Sequence, residues 1–166
     1  LRTLSRELER RHRLVRGRGE EQVGRQRLSR YRFAHALFQQ YLYHDLSPGE
    51  CRLLHREVAG VLEELHEDNL GEVAAPLAHH FSAAGDEERA LKYLVLAGDR
   101  ALAAYAHAEA EVYYRRALEL APGDSERAHL LSGLGEAQFG QGRFTEAMET
   151  WGRGIEVYQA LADSDG

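Results

Sequence analysis

The amino-acid sequence predicts an all-α protein in which antiparallel helices form an extended array, an α-solenoid, after one short β-hairpin. Apolar residues recur at helical spacing in the segments that follow residue 34, and capping or stop signals separate these segments. Only residues 12–33 combine two extended stretches with a Gly-rich, Arg-rich centre, which is the signal of a hairpin with a long tip. Hardly any other part of the chain could build a sheet.

Charge is divided unevenly along the chain. Residues 1–56 hold 13 Arg and six Asp or Glu, whereas the remainder holds eight basic and 21 acidic residues, for a net charge of −6. A basic block joined to an acidic block indicates two units with different neighbours. The single cysteine, Cys51, excludes an internal disulfide, and no apolar run approaches the roughly 18 residues that cross a membrane. We expect a cytoplasmic protein, and the start at Leu1 suggests a piece of a longer one.

The first elements follow from short patterns. Residues 2–13 predict a charged helix, and the hairpin comes next, with Gly17, Gly19 and Gly24 near its tip. In "YRFAHALFQQYLY", residues 31–43, the apolar period changes from two to that of a helix, with His35 at the change. The order helix, hairpin, helix resembles the last part of a winged-helix domain, with the hairpin as its wing.

From Ser47 onward the sequence predicts one helix after another. Ser47, Pro48 and Glu50 form a helix start, and a helix over 48–67 follows with one apolar face. Asp86 is the predicted N-cap of a second long helix, and Pro122-Gly123 is the predicted end of a third. Shorter or later helices are predicted within 71–85, 125–142 and 143–163.

The last two predicted helices carry a repeat pattern. The pattern consists of Leu131, Leu134, Gly135, Gly142, Phe144, Ala147, Trp151 and Gly154. The small residues Gly135, Ala147 and Gly154 would let two antiparallel helices approach closely. Phe144 and Trp151 would fill the gaps to neighbouring helices, and Gly142 would permit the turn. The pattern resembles the 34-residue tetratricopeptide (TPR) repeat, with departures at Gln138, Gly154 and Gln159. Weaker matches to the same pattern occur at 77–97 and 107–122. An unrelated helical bundle is the alternative.

The order of the whole chain, about residues 2–158, resembles the region that follows the ATPase module in bacterial STAND proteins (signal-transduction ATPases with numerous domains). That resemblance implies the end of a winged helix over 1–46 and a TPR-like domain over 47–166. It also implies an upstream ATPase module that binds ATP or ADP. The sequence contains no G-x4-G-K-[ST] motif, so we expect no cofactor and no catalysis in this chain itself.

His35 is the first candidate site residue. In STAND proteins a histidine begins the helix after the wing, within an apolar-x-His-x-Leu pattern that Phe33, His35 and Leu37 match here. The resemblance implies that His35 senses a nucleotide phosphate when the ATPase module is present. An imidazole near a helix N-terminus can donate to an anion. The alternative is a hydrogen bond across the junction of wing and helix.

Other candidates receive plainer interpretations. The wing arginines (Arg16, Arg18, Arg25, Arg27) could contact nucleic-acid phosphates. A DNA-binding transcription-factor fragment is therefore an alternative function, although we favour a solvated or interdomain basic face and consider nucleic acid an unlikely partner. Cys51, His55, His79 and His80 do not make a ligand set for zinc. No nucleophile and base stand at a recognisable catalytic spacing.

The remaining candidate is the concave face of the repeat array, where TPR proteins bind peptides or partner helices. The residues that map to this face are His79, Ser82, Asp99, Leu102, Ser132, Glu136 and Phe139. Because the C-terminal block is acidic, a basic or amphipathic protein partner is expected. The sequence thus predicts a non-catalytic interaction or sensor module of a larger STAND-type regulator, and a stand-alone TPR scaffold is a further alternative.

Overall fold

The computed structural model describes residues 13–23 and 26–164. Most of the predicted helix at 2–13 lies outside these residues, as do Gly24 and Arg25. Over the described part, two strands and seven α-helices follow one another, with one short 3-10 helix. The chain divides into two compact units after Asp68. The helix at 48–65 is therefore grouped with the hairpin, while the assignment of 1–46 to a winged-helix end stays a prediction.

The hairpin is confirmed as the only sheet in the described residues. Strand β1 (Val15–Val23) pairs antiparallel with β2 (Gln26–Phe33), and Val15 lies opposite Phe33. The register shifts between Gly17 and Gly19, and Gly19 has a positive φ of 99°, which a residue with a Cβ rarely adopts. The chain then passes from strand to helix as the change of apolar period predicted.

Two helices complete the first unit. Helix α1 (Ala36–Asp45) leads to α2 (Pro48–Leu65), whose start has the predicted capping box: the Ser47 hydroxyl accepts from the Glu50 N–H, and the Glu50 carboxylate accepts from the Ser47 N–H. The predicted helix 48–67 thus begins where expected and ends two residues earlier. Its apolar face stays largely exposed, and Ala59 is its one buried residue.

The second unit is a row of helices joined by tight turns. The 3-10 helix Leu70–Val73 precedes α3 (Ala74–Ala84), α4 (Glu87–Ala103), α5 (His107–Leu120), α6 (Asp124–Gly140) and α7 (Phe144–Ser164). From α3 to α7 each helix packs against the next, and α4 also contacts α6 past α5. Gly85 and Gly142 turn the chain with positive φ, and Asp86 caps α4 as predicted.

The core of the second unit runs along this row of helices. Its largest fully buried side chains come from four consecutive helices and are Leu77, Phe81, Tyr93, Leu94, Tyr114, Leu130 and Leu131. Each such side chain stabilises the fold by about 1.5–3 kcal/mol through burial of apolar surface. Along the described chain, every helix is too short or too polar to cross a membrane.

Candidate partner-binding surface

Tyr114 on α5 determines how closely α4 and α6 approach. Its ring is buried between Gly98 of α4 and Gly133 of α6. A Cβ atom at Gly98 would lie 2.9 Å from the ring, and one at Gly133 would lie 2.5 Å from it. Only residues without a side chain leave room for the ring at both positions. The two glycines and the tyrosine therefore position α4 and α6 side by side.

The hydroxyl of Tyr114 reaches a carboxylate at the edge of this packing. It donates to Asp99 Oδ1 over 2.6 Å. Burial, this hydrogen bond and the negative charges of Asp99 and Glu136 all raise the pKa of Tyr114, so the phenol stays protonated and remains a donor. Asp99 and Glu136, two of the predicted surface residues, thus lie around one hydroxyl on two contacting helices. Both carboxylates are exposed to solvent.

Three further predicted residues continue this surface. Ser132 and Phe139 are exposed on α6 on either side of Glu136 in the sequence, and Leu102 is half-buried near the end of α4. The Phe139 ring lies 5.1 Å from that of Phe144 and 5.8 Å from that of Trp151, both on α7. We call Asp99, Leu102, Ser132, Glu136 and Phe139 the α4–α6 face. It combines acidic and apolar groups.

The two remaining predicted residues lie on α3, in other surroundings. The Ser82 hydroxyl donates to the Ala78 carbonyl over 2.7 Å and accepts from Arg116 Nη2 on α5 over 3.3 Å. Ser82 lines a cavity of about 190 Å³ whose other residues come from the α3–α4 turn, from α4 and from the C-terminal half of α5. His79 is exposed beside His80, with ring centroids 5.3 Å apart. Their role in partner binding stays a prediction.

A buried carboxylate holds the turn between α6 and α7. Glu111 Oε1 accepts from Arg115, while its Oε2 accepts from Gln141 Nε2 over 2.8 Å and from Arg143 Nη1 over 2.6 Å. Burial alone would raise the pKa of Glu111, but the bonds from Gln141, Arg115 and Arg143 outweigh it and lower that pKa to about 2. Arg143 also pairs with Glu146. Sequence reasoning missed this network because its partners lie up to 32 residues apart.

Sequence reasoning also missed an apolar row on α7. Phe144, Met148, Ile155 and Tyr158 are each more than half exposed. Phe144 was expected to fill a gap between helices, but it is 57% exposed. The expected close packing is confirmed at the small residues: Ala147 and Gly154 are buried, and Trp151 lies over Gly135. The signal that could have revealed the row is its spacing: together with Trp151, these residues recur at intervals of four, three, four and three.

In the first unit, His35 is the N-cap residue of α1. Its side chain makes no capping hydrogen bond; its ring is exposed and lies 5.7 Å from that of Phe38. Arg16, Arg18 and Arg32 line a cavity of about 240 Å³ together with residues on either side of His35. Among the residues that the structure describes, no group of three or more potential ligands is placed to hold a metal ion.

Comparison with known proteins does not identify a family for this chain. A scan of protein-family models and a search of curated proteins both found no match to the chain.

Proposed function

We propose that the chain is a non-catalytic protein-interaction module, the sensor part of a larger STAND-type regulator. The observation that carries the proposal is the α4–α6 face, where two exposed carboxylates, the exposed Phe139 and the half-buried Leu102 lie on two contacting helices. Paired negative charges beside apolar surface suit a basic or amphipathic peptide, because charge complementarity guides encounter and orientation. Since buried side chains pack α4, α5 and α6 together beneath this face, a partner would meet a preformed surface.

The TPR-like solenoid is part of this proposal. Contact between α4 and α6 past α5 is the arrangement in which the first helices of successive repeats line one face. The Trp151–Gly135 packing and the turn at Gly142 fit the same interpretation. Helices α6 and α7, which carry the fullest match to the pattern, would then form the clearest repeat.

The first unit is assigned a relay role in the same proposal. The hairpin would be the wing that connects the repeats to an upstream ATPase module in the cytoplasm. His35 would then contact a phosphate of ADP or ATP supplied by that module. Its exposed ring at the first turn of α1 is compatible with an anion partner.

Panning a random peptide library against the chain tests the binding role. We expect enriched peptides that combine Lys or Arg with apolar residues, and we expect Asp99→Asn with Glu136→Gln to weaken their binding about tenfold, since two charges are removed without loss of volume. A matched control removes two exposed charges elsewhere, Glu88→Gln with Glu119→Gln. Equal binding by the wild type and both variants, or no enrichment at all, would contradict the proposal.

A further inference from the structure

Three arginines at the base of the hairpin line one cavity. Arg16 lies directly opposite Arg32 in the register of β1 and β2, so the two side chains leave the same face of the hairpin. Arg18 is the extra residue where the register shifts between Gly17 and Gly19, an irregularity of the kind that redirects a side chain. The three arginines share a cavity of about 240 Å³, which we call the hairpin cavity.

The other residues of the hairpin cavity come from the end of β2 and the first turns of α1. They are Phe33, Ala34, Ala36 and Gln39, so no acidic residue lines the cavity. The Ala34 N–H donates to the Leu14 carbonyl over 2.8 Å and continues the strand pairing up to α1. This bond holds the arginines next to the start of the helix. The Gln39 amide can add a donor to those of the arginines.

The positive charge of the hairpin cavity is not compensated by the chain. Arg27, nearer the tip, pairs with Glu20 over 3.7 Å. Within residues 13–23 and 26–164, by contrast, no carboxylate pairs with Arg16, Arg18 or Arg32. Like charges directly opposite each other on a hairpin are destabilising. An anion bound among them would therefore stabilise the folded first unit.

The number of guanidinium groups indicates the kind of anion. A carboxylate has two oxygens, which a single arginine can satisfy through two parallel hydrogen bonds. A terminal phosphate carries a charge of about −1.5 to −2 at pH 7 and three strong acceptor oxygens, so it can engage several guanidinium groups at once. The cavity is smaller than the roughly 300–1,000 Å³ of pockets that enclose a drug-sized ligand. It therefore suits the phosphate end of a molecule and leaves the remainder outside.

We propose that the hairpin cavity binds a terminal phosphate group, either in free diphosphate or in a small phosphate monoester, through Arg16, Arg18 and Arg32. All the residues of this site belong to the first unit of the chain. The inference goes beyond the proposed interaction function and requires neither the α4–α6 face nor an upstream module.

Isothermal titration calorimetry of the whole chain tests this proposal. The probes are inorganic diphosphate and glycerol 3-phosphate, and glutarate serves as a dicarboxylate for comparison. We expect saturable binding of a phosphate probe that weakens with added salt, and we expect glutarate to bind at least about tenfold more weakly. The probe with the higher affinity identifies the source of the phosphate, free diphosphate or a monoester.

Variants locate the binding. Replacement of Arg16, Arg18 and Arg32 together by Gln should weaken the phosphate probe about tenfold or more. A matched control removes three exposed arginines that do not line the cavity, Arg27→Gln, Arg52→Gln and Arg56→Gln. The control has the same net charge and should retain the affinity within about threefold. Circular dichroism verifies that both variants are folded.

The single variant Arg32→Gln separates binding from a structural role. It removes the repulsion with Arg16 across the hairpin, so hydrogen exchange of the β1 and β2 amides should be slowed or unchanged without ligand. The same variant should bind the phosphate probe about threefold or more weakly. Faster exchange with unchanged phosphate affinity would mean that Arg32 only supports the hairpin, and would contradict the proposal.

Four other outcomes would overturn the proposal: no saturable binding of either phosphate probe, equal binding of glutarate, an equal loss in the control variant, or tighter binding of duplex DNA than of both probes. His35→Ala should retain the affinity, because His35 does not line the cavity. A loss as large as that of the triple variant would refute a separate site. Peptide binding at the α4–α6 face is measured independently, so either proposal can fail without the other.

Discussion

In the second unit, buried polar side chains form hydrogen bonds that fix how neighbouring helices align. The Tyr114 hydroxyl donates a hydrogen bond to Asp99. Gln138 occupies the position where the repeat pattern has an aromatic residue. Its side chain is buried and accepts from the Thr150 hydroxyl over 2.7 Å. A buried polar group without a partner costs about 1–3 kcal/mol, so each pair favours one alignment of its two helices. The departure at Gln138 thus has a matching partner on α7.

The steric limit at Gly133 leads to a prediction at the same scale. Gly133→Ala would place a methyl group 2.5 Å from the Tyr114 ring, and we expect it to lower the free energy of unfolding by about 1–3 kcal/mol through overpacking. Thermal or urea unfolding followed by circular dichroism measures the change. Gly152→Ala is the control, since a Cβ there meets nothing within 4 Å. It should be neutral or stabilising by up to about 1 kcal/mol, and an equal loss in both variants would refute the interpretation.

At the scale of elements, helix starts and turns were predictable because their signals are local. Ser47, Asp86, Gly85 and Gly142 act through backbone groups within a few residues, so the sequence shows them directly. The exposed side of α7 was not predictable in the same way. Its spacing is that of a buried stripe, and whether another helix covers it depends on tertiary packing. The Glu111 network was not predictable for the same reason, because its partners meet only through tertiary packing.

The capping box at Ser47 gives the prediction for an element. Ser47→Ala removes the acceptor of the Glu50 N–H, and we expect α2 and the first unit to lose about 1 kcal/mol of stability. Urea unfolding with a probe in the first unit, such as hydrogen exchange of α2 amides, measures the loss. Ser47→Asp keeps an acceptor at this position and should restore most of it. If the alanine variant were as stable as the wild type, the capping box would not contribute to the stability of the first unit.

For the whole molecule, the uneven distribution of charge coincides with two different kinds of surface. The described part of the hairpin carries arginines on facing strands, with Arg16 directly opposite Arg32, whereas the helical row carries carboxylates. Like charges opposite each other on a hairpin are unfavourable in isolation. In the second unit, by contrast, the buried carboxylate of Glu111 is compensated by two arginines and an amide. The stability of that unit should therefore depend on pH mainly through groups of this kind.

Acid titration tests this compensation across the second unit. The pKa of Glu111 is about 2 in the folded chain and near 4.5 in the unfolded chain, so its stabilising contribution is complete above about pH 5. It is lost progressively as the pH falls from about 4.5 to 2, because the unfolded chain takes up the proton first. Glu146, whose pKa Arg143 also lowers, acts in the same direction. Unfolding free energies measured at intervals over this range should decline with a steep slope.

Glu111→Gln identifies the residue responsible for that slope. The amide cannot be ionised, so the variant should be less stable than the wild type near neutral pH and should lose less stability on acidification. Glu119→Gln removes an exposed carboxylate of the same helix and should keep the wild-type slope. An unchanged slope in Glu111→Gln would mean that the network around the α6–α7 turn does not couple protonation to folding. A reduced slope in that variant alone would show that one carboxylate links α5, the turn and α7 into a single unit that loses stability in acid.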